Sequence, residues 1–191
     1  MDRMIEQGIN AEGLNQAMAA SKQGRIYEGG GDGKKSLKSP IFAIDPGTTE
    51  SGWVWYEAGQ VRKSGVSSNH DLLADIQAGC IDACELAIEM IASYGMAVGR
   101  EVFETCVWVG RFKQAFRAPD RVRLIYRKDV KMHICGTPKA KDANIRQALI
   151  DKLGPAGTKK APGPTHGVRS HAWAALGVAV TAHETRGEAC A

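Results

Sequence analysis

An aspartate stands at a point where the sequence predicts a β-strand. Residues 41–44 are apolar and lead to Asp45, and a Pro-Gly turn then opens a second run with alternating bulky residues. This pattern is typical of a β-hairpin with a carboxylate at its mouth. Aspartate is depleted in strands, so its presence at position 45 indicates a specific role. The usual role of such an aspartate is to bind a metal ion or a phosphate.

A second acidic residue, Glu89, interrupts the short apolar run of residues 85–91. An ionised carboxylate in a buried strand is costly unless it is paired or bound to a cation. Taken alone, Glu89 is explained equally well by an arginine partner and by a metal ion. Because Asp45 also ends a buried strand, the two acids together favour a divalent-metal site built from hard oxygen ligands.

The rest of the chain predicts the elements that would position these acids. Three antiparallel strands come first and strands then alternate with helices, which predicts an α/β fold: a mixed five-stranded sheet with helices on both faces. The predicted strands are 41–45, 52–58, 60–66, 85–90 and 122–127, and the predicted helices are 69–81, 99–116, 128–134, 140–153 and 169–184.

Residues 1–40 are predicted to be a flexible N-terminal extension, and residues 41–191 a single domain. Residues 3–20 can form one amphipathic helix, and a glycine-rich linker follows at residues 29–35. The loop 154–168 is rich in Pro, Gly and Lys, and its length is typical of a loop that is either functional or disordered.

Charge is distributed unevenly along the predicted domain. Residues 41–110 carry three Lys or Arg and ten Asp or Glu, a net charge of −7, whereas residues 111–160 carry fourteen and four, a net charge of +10. A nuclease needs carboxylates for cations and a basic surface for the phosphate backbone. A solvated basic face is the ordinary alternative, but the size of the local excess favours nucleic acid as the partner.

The composition also bounds the class of protein. No apolar run approaches the roughly 18 residues of a membrane span, so no membrane association is expected. The cysteines number five and no pair has zinc-finger spacing. Reduced thiols and a cytoplasmic location, in a bacterium or a phage-infected host, are the simplest expectation.

Four segments resemble those of one enzyme family. Phe42 to Val54 contains Ile-Asp-Pro-Gly before a hairpin, and residues 86–89 read Leu-Ala-Ile-Glu. Residues 136–145 carry Gly-Thr, basic residues and a helix, and residues 170–180 form a final apolar helix. In this order they resemble the RuvC-type Holliday junction resolvases of the RNase H-like superfamily, and the phage-encoded members in particular.

This resemblance implies an RNase H-like fold and a metal-dependent endodeoxyribonuclease that cuts branched DNA, most typically four-way junctions. Two Mg²⁺ or Mn²⁺ ions would clamp the attacking and leaving oxygens. By the resemblance, Asp45 bridges the ions, Glu89 holds one of them, and His171 is the third ligand. Two symmetric nicks require two active sites, so a homodimer with twofold symmetry is expected.

The chain departs from the family pattern at one position. The family carries an acid three residues after the position of His171, on the same helical face, and here that residue is Ala174. This puts the affinity for a second ion in doubt. Glu104, Glu50 and Asp142 are candidate substitutes, and a shifted alignment of the last helix is the other explanation.

The resemblance also implies DNA contacts. Lys139 and Lys141 match a basic position near the scissile phosphate, and Tyr94 stands where relatives carry an aromatic residue that can wedge into an opened junction. A buried tyrosine explains Tyr94 equally well. From their spacing, Arg111, Lys113 and Arg117 are expected to share one helical stripe that tracks a DNA strand.

Two other function classes remain open at the level of sequence. Residues 45–49 also resemble the phosphate loop of actin and sugar-kinase ATPases, but those need two such domains and a second nucleotide motif that is missing here. A DNA-junction-binding module that has lost catalysis through Ala174 is the closer alternative. Metal-dependent nicking of a synthetic junction separates that module from a nuclease.

Overall fold

The computed structural model describes residues 39–186, so nearly all of the predicted extension 1–40 lies outside the described residues. The elements in chain order are β1 Ile41–Pro46, β2 Glu50–Glu57, β3 Gln60–Ser68, α1 Asn69–Gln77, β4 Glu85–Met90, α2 Arg100–Ala115, β5 Val122–Tyr126, α3 Arg127–Cys135, α4 Asp142–Leu153 and α5 Ala172–Glu184, with a 3-10 helix at Pro119–Arg121.

The strands form one five-stranded mixed sheet in the order β3-β2-β1-β4-β5. The first three strands form an antiparallel meander, and β4 and β5 continue the sheet parallel to β1. The predicted mixed sheet is therefore confirmed. Central strand β1 is apolar over residues 41–44 because both of its faces are covered, as expected of a strand in the middle of such a sheet.

Alternation along β1 divides the core into two layers. Ile41 and Ala43 face a core cluster built with α3, α4 and the largely buried α5. Phe42 and Ile44 face the opposite cluster, which includes residues of α1 and α2. Successive strand residues point to opposite faces, so this pattern confirms the predicted helices on both faces of the sheet.

The largest boundary error concerns the first helix, which was predicted to run to residue 81 and ends at Gln77. The amides of Ala78 and Gly79 still donate to Ala74 and Ile76, and Gly79 then adopts a φ of 69°. A glycine in the left-handed conformation is a common way to end a helix.

Among residues 39–186, no helix has the length and apolarity that a membrane span requires.

One glycine lets α5 approach the sheet. Gly52 on β2 pairs with Asp45 on β1. A Cβ atom at Gly52 would lie 2.4 Å from the carbonyl carbon and oxygen of His171, which immediately precedes α5. The absence of a side chain at Gly52 therefore allows the start of α5 to lie directly over the end of β1.

The long connection between α4 and α5 is folded. Thr158 and Ala161 exchange two backbone hydrogen bonds around Lys159 and Lys160, which makes a tight hairpin. The buried hydroxyl of Thr165 donates to the carbonyl of Gly154 and fastens this hairpin to the end of α4. Of the two expectations for this loop, disorder is thus wrong, and its two lysines are presented on an ordered turn.

Candidate active site

Asp45 and Glu89 lie side by side at the end of the sheet. Strands β1 and β4 are parallel neighbours, and Ile44 is paired with Ile88. The residue that follows each of these is an acid, so both acids stand at the carboxyl ends of adjacent strands. The alternation of the strands also directs both side chains to the face covered by α5. The structure thus brings together the two acids that the sequence singled out.

Burial disfavours the ionised form of both carboxyl groups. Burial, followed by the charge of Glu89, raises the pKa of Asp45 to about 7, against an opposing effect of Arg127. Burial also raises the pKa of Glu89, and the charge and hydrogen bonds of Arg127 counteract it. Two adjacent buried carboxyl groups cannot both ionise easily, because too little positive charge lies near them. A bound cation would offset the repulsion between the two ionised groups.

Arg127 is the partner of Glu89. Its Nη1 donates to both carboxylate oxygens at 2.7 and 3.0 Å, and its Nη2 donates to Oδ1 of Asp142 at 2.5 Å. Of the explanations left open for Glu89, the arginine pair is therefore present in the structure. It leaves Asp45 without a hydrogen-bonded positive partner, because among residues 39–186 this guanidinium bonds only to Glu89 and Asp142.

His171 joins the site from the start of α5. Its Nδ1 lies 3.7 Å from Oδ2 of Asp45, and its ring is exposed. It has α-helical backbone angles, and its carbonyl accepts hydrogen bonds from the amides of Ala174 and Ala175. The preceding Ser170 has a φ of 44°, so a tight turn delivers the imidazole to the end of β1.

Asp45, Arg127 and His171 line a cavity of about 140 Å³. It is lined by residues of β1 and of the starts of α3, α4 and α5: Asp45, Arg127, Asp142, Ile145, Arg146, Ser170, His171, Trp173 and Ala174. Position 174 therefore does face the site, and it offers only a methyl group. Of the three candidate substitutes, Asp142 lines the cavity, whereas Glu104 pairs with Arg100 on α2 and Glu50 is exposed at the start of β2.

The chemistry of the donors suits one divalent cation. Asp45 and Glu89 would supply carboxylate oxygens, the ligands that Mg²⁺ and Mn²⁺ prefer, and His171 would add an imidazole nitrogen. Among residues 39–186, no three His, Cys, Asp or Glu side chains are already gathered closely enough to hold a metal. A second ion would have to rely on Asp142, which is already bonded to Arg127.

The predicted phosphate lysines lie outside the cavity wall. Lys139 and Lys141 are exposed in the connection before α4, and the amide of Lys141 donates to Oδ1 of Asn144. Arg146, one turn into α4, lines the cavity instead, and its guanidinium lies 4.9 Å from the centre of the Trp173 ring. A cation stacked on an aromatic ring is held in place, so Arg146 is a positioned charge at the mouth of the site.

Tyr94 is exposed rather than buried. It lies in the loop that follows Glu89, at the second position of a turn closed by the amide of Met96 and the carbonyl of Ser93. Both central residues, Tyr94 and Gly95, have positive φ, as in a type I′ turn. The Tyr94 side chain is 60% exposed, which rules out the buried alternative, and its role as a wedge stays a prediction.

The expectation of one basic stripe on α2 is wrong. Arg111 and Lys113 are two residues apart, which places them about 160° apart around a helix of 3.6 residues per turn. Arg117 lies beyond the end of the helix and pairs with Asp82, near the start of β4 and away from the acids. Arg111 stacks over Trp108, whose indole nitrogen donates to the carbonyl of Thr48 in the β1–β2 turn.

Arg127 and Arg146 were not among the site residues predicted from the sequence. A signal for Arg127 was available, because it directly follows β5, and β5 runs parallel to β4 with Tyr126 opposite Met90. Residues just after neighbouring parallel strands meet at one edge of the sheet, so an arginine there faces Glu89. No comparable local signal identifies Arg146, whose placement depends on how α4 packs against α5.

Comparison with solved structures places this architecture among RuvC folds. The structure of T. thermophilus RuvC in complex with a Holliday junction substrate matches with a TM-score of 0.57 and 20% identity, over 78% of this chain and 95% of that one. The Thermus thermophilus RuvC structure matches with a TM-score of 0.52 and 20% identity, over 77% and 95%. At this identity the likeness shows the fold, and the predicted RNase H-like, RuvC-like architecture is confirmed.

Neither sequence comparison identifies a relative. No family model matches the chain, and no curated protein matches it. The assignment of a function therefore depends on the shared fold and on the residues at the end of β1 and β4.

Proposed function

We propose that this protein is a divalent-metal-dependent endodeoxyribonuclease that cuts branched DNA, with four-way junctions as its first substrate. The observation that carries the proposal is the pair of acids, Asp45 and Glu89, on adjacent parallel strands of a RuvC-like fold. The T. thermophilus RuvC with the same architecture is described in complex with a Holliday junction substrate. A homodimer acting in the cytoplasm is part of this proposal.

The residues of the site have separate tasks in this proposal. Asp45, Glu89 and His171 would hold a divalent cation, which when bound polarises the phosphate and activates water. The two-ion arrangement predicted from the sequence stays a prediction. The basic side chains Arg127 and Arg146 line the cavity and would bind the phosphate whose ester bond is cut, because guanidinium groups recognise phosphates with two parallel hydrogen bonds.

The surrounding surface suits the strands that flank the cut. Lys139 and Lys141 are exposed beside the start of α4 and would contact neighbouring phosphates. Tyr94 projects from the loop after β4, where an exposed ring can stack on an unpaired base at a branch point, a contact worth about 1–3 kcal/mol per base. Arg111 and Lys113 lie on different sides of α2, so they would contact different strands of the DNA rather than the same one.

One specific observation favours the closest alternative, a junction-binding module without catalysis. Position 174 faces the cavity with a methyl group, and Arg127 already neutralises Glu89. Such a module would bind junctions and leave them intact. The ATPase alternative is not supported in the same way, because residues 39–186 form a single sheet and so supply one of the two domains it requires.

The decisive experiment compares a synthetic four-way junction with a linear duplex of the same sequence, in Mg²⁺, in Mn²⁺ and in EDTA. We expect metal-dependent nicking of the junction by the wild type and none by Asp45→Asn, with junction binding retained. Asp151→Asn is the matched control, since Asp151 lies on the exposed side of α4 and bonds Gln147. Binding without nicking under every metal condition would favour the non-catalytic module.

A further inference from the structure

We propose that the guanidinium of Arg127 takes the place of a second metal ion, so that the site works with one divalent cation. This inference rests on the nuclease function proposed above. It concerns which group stabilises the negative charge of the phosphate, and it makes Arg127 a catalytic residue.

The first observation is a missing ligand next to a positive charge. Ala174 lines the cavity three residues after His171 and supplies no donor for a second ion. Arg127 lines the same cavity and bonds both Glu89 and Asp142. A positive charge thus already occupies the group of acids, held by two carboxylates from different elements, at a site where the chain lacks the ligand that a further cation would need.

The second observation is that Arg127 has donors to spare. A guanidinium carries five N–H groups, and the hydrogen bonds of Arg127 to Glu89 and Asp142 leave at least two of them without a partner among residues 39–186. The Arg127 side chain is 35% exposed, and that of Asp142 is 77% exposed. A phosphate oxygen can therefore reach the free N–H groups, or displace the exposed Asp142 carboxylate, while buried Glu89 keeps the guanidinium oriented.

The reaction assigns Arg127 a task that needs no proton transfer. In phosphodiester hydrolysis, the oxygen of water forms a bond to phosphorus, one P–O ester bond breaks, and the leaving oxygen gains a proton. Negative charge grows on the non-bridging oxygens in between. An arginine remains protonated in proteins, so Arg127 offers a fixed charge and two aligned donors to those oxygens. Asp45, Glu89 and His171 would hold the single cation, which would supply the activation of water.

The first test counts metal ions without measuring activity. Native mass spectrometry and calorimetric titration with Mn²⁺ should find one ion per wild-type protomer. Arg127→Met/Ala174→Asp, which removes the guanidinium and supplies a carboxylate, should bind two. A wild type that binds two ions with similar affinity would overturn the proposal.

The second test measures junction cleavage. Arg127→Met should lower the rate by about 10²- to 10³-fold, the usual loss when one preorganised donor to a developing oxyanion is removed. The double variant should recover at least about tenfold of that loss by binding the second ion. Cleavage by Arg127→Met at the wild-type rate would overturn the proposal, as would faster cleavage, which would make Arg127 an inhibitor of metal binding.

Folding is checked separately, because Arg127→Met leaves Glu89 without its arginine. Arg127→Lys keeps a positive charge near Glu89 but lacks the two-pronged geometry, so it should stay folded by circular dichroism and lose most of the cleavage. Failure of the proposed nuclease function looks different: the wild type would then cut no branched DNA with any metal. A wild type that cuts junctions and holds two ions would contradict this inference alone.

Discussion

Strand β4 carries two buried glutamates whose surroundings differ. Glu85, at its start, faces Arg123 at 3.5 Å and Arg186 at 3.2 Å. Glu89, near its end, shares the single Arg127 with Asp142 and lies beside Asp45. The first carboxylate is surrounded by more positive than negative charge and ties the sheet to the end of α5. The second shares its single arginine with another acid and has Asp45 beside it, so within the described part of the chain this group of three acids has one hydrogen-bonded arginine.

We predict that neutralising these glutamates destabilises the protein to different extents. Glu85→Gln should lower the free energy of unfolding by about 3 kcal/mol, because removing one member of a buried ion pair leaves its partners poorly compensated. Glu89→Gln should cost clearly less, since the loss of the Arg127 pair is offset by relief of repulsion with Asp45. Urea unfolding of the metal-free proteins measures both, and equal losses would contradict the distinction.

The raised pKa of Asp45 predicts a pH dependence. Its carboxyl has a pKa of about 7 in the folded protein, through burial first and then the charge of Glu89, against 3.8 for an ordinary aspartate. The folded state therefore keeps a proton that the unfolded chain releases. This contribution to stability is complete below about pH 4 and is lost as the pH rises through about 7.

Metal binding should show the complementary trend, because a cation binds the ionised carboxylate. The metal-free protein should lose thermal stability between about pH 5 and pH 8, and Mn²⁺ should raise the melting temperature more at about pH 8 than at about pH 6. Thermal unfolding with and without Mn²⁺ at both pH values measures this. Asp45→Asn should remove most of the pH dependence; if it persists, another group titrates.

At the scale of elements, the placement of α5 decides the geometry of the site. Gly52→Ala would put a methyl group 2.4 Å from the backbone of His171, and a helix terminus cannot yield as a flexible side chain does. We expect cleavage to fall by about 10²-fold, because misplacing a catalytic group by about 1 Å costs that much. The fold should survive with a loss of about 1–3 kcal/mol.

Gly65→Ala is the matched control for that experiment. A Cβ atom at Gly65 would lie 2.7 Å from the Trp53 side chain, so it crowds the same sheet at a distance from His171. This variant should lose comparable stability and keep its cleavage rate. Equal loss of cleavage in both variants would mean that general crowding, rather than the position of α5, is responsible.

Features of the fold that depend on local sequence patterns could be predicted, and those that depend on tertiary contacts could not. Strand alternation, the Pro-Gly turn and the apolar last helix are local patterns, so the sheet, its helices and the pair Asp45 and Glu89 were predictable. Arg127 comes to Glu89 through the pairing of β5 with β4, a contact between residues 38 apart in the chain. The folded hairpin at residues 154–168 depends on tertiary anchoring by Thr165, for which composition gives no signal.

At the scale of the whole molecule, the basic surface should govern DNA affinity. Each phosphate contact lowers log K by about 0.9 per decade of salt. The triple variant Lys139→Ala/Lys141→Ala/Arg146→Ala should therefore weaken junction binding and flatten the salt slope by about 2–3. Arg62→Ala is the control, because Arg62 lies on edge strand β3 and pairs with Glu57. An unchanged slope in the triple variant would place the DNA on another face.

Two symmetric cuts require two sites, and helix α2 offers a surface for a second copy of the chain. Phe103 and Val107, one turn apart, are 63% and 56% exposed. Gly110 continues this outer face, and a Cβ atom there would meet nothing within 4 Å. Exposed apolar side chains beside a glycine are typical of helices that pack closely against a partner.

We therefore predict that Phe103→Asp converts a dimer into a monomer. A buried charge would face its own copy across the twofold axis, so light scattering after gel filtration should report half the wild-type mass. Met132→Asp, at an exposed apolar residue of α3, should leave the mass unchanged. On a junction, the monomer should make single nicks and lose paired cuts, since each cut then requires a separate binding event. A wild-type monomer, or an unchanged mass in Phe103→Asp, would contradict the assignment of α2 as the interface.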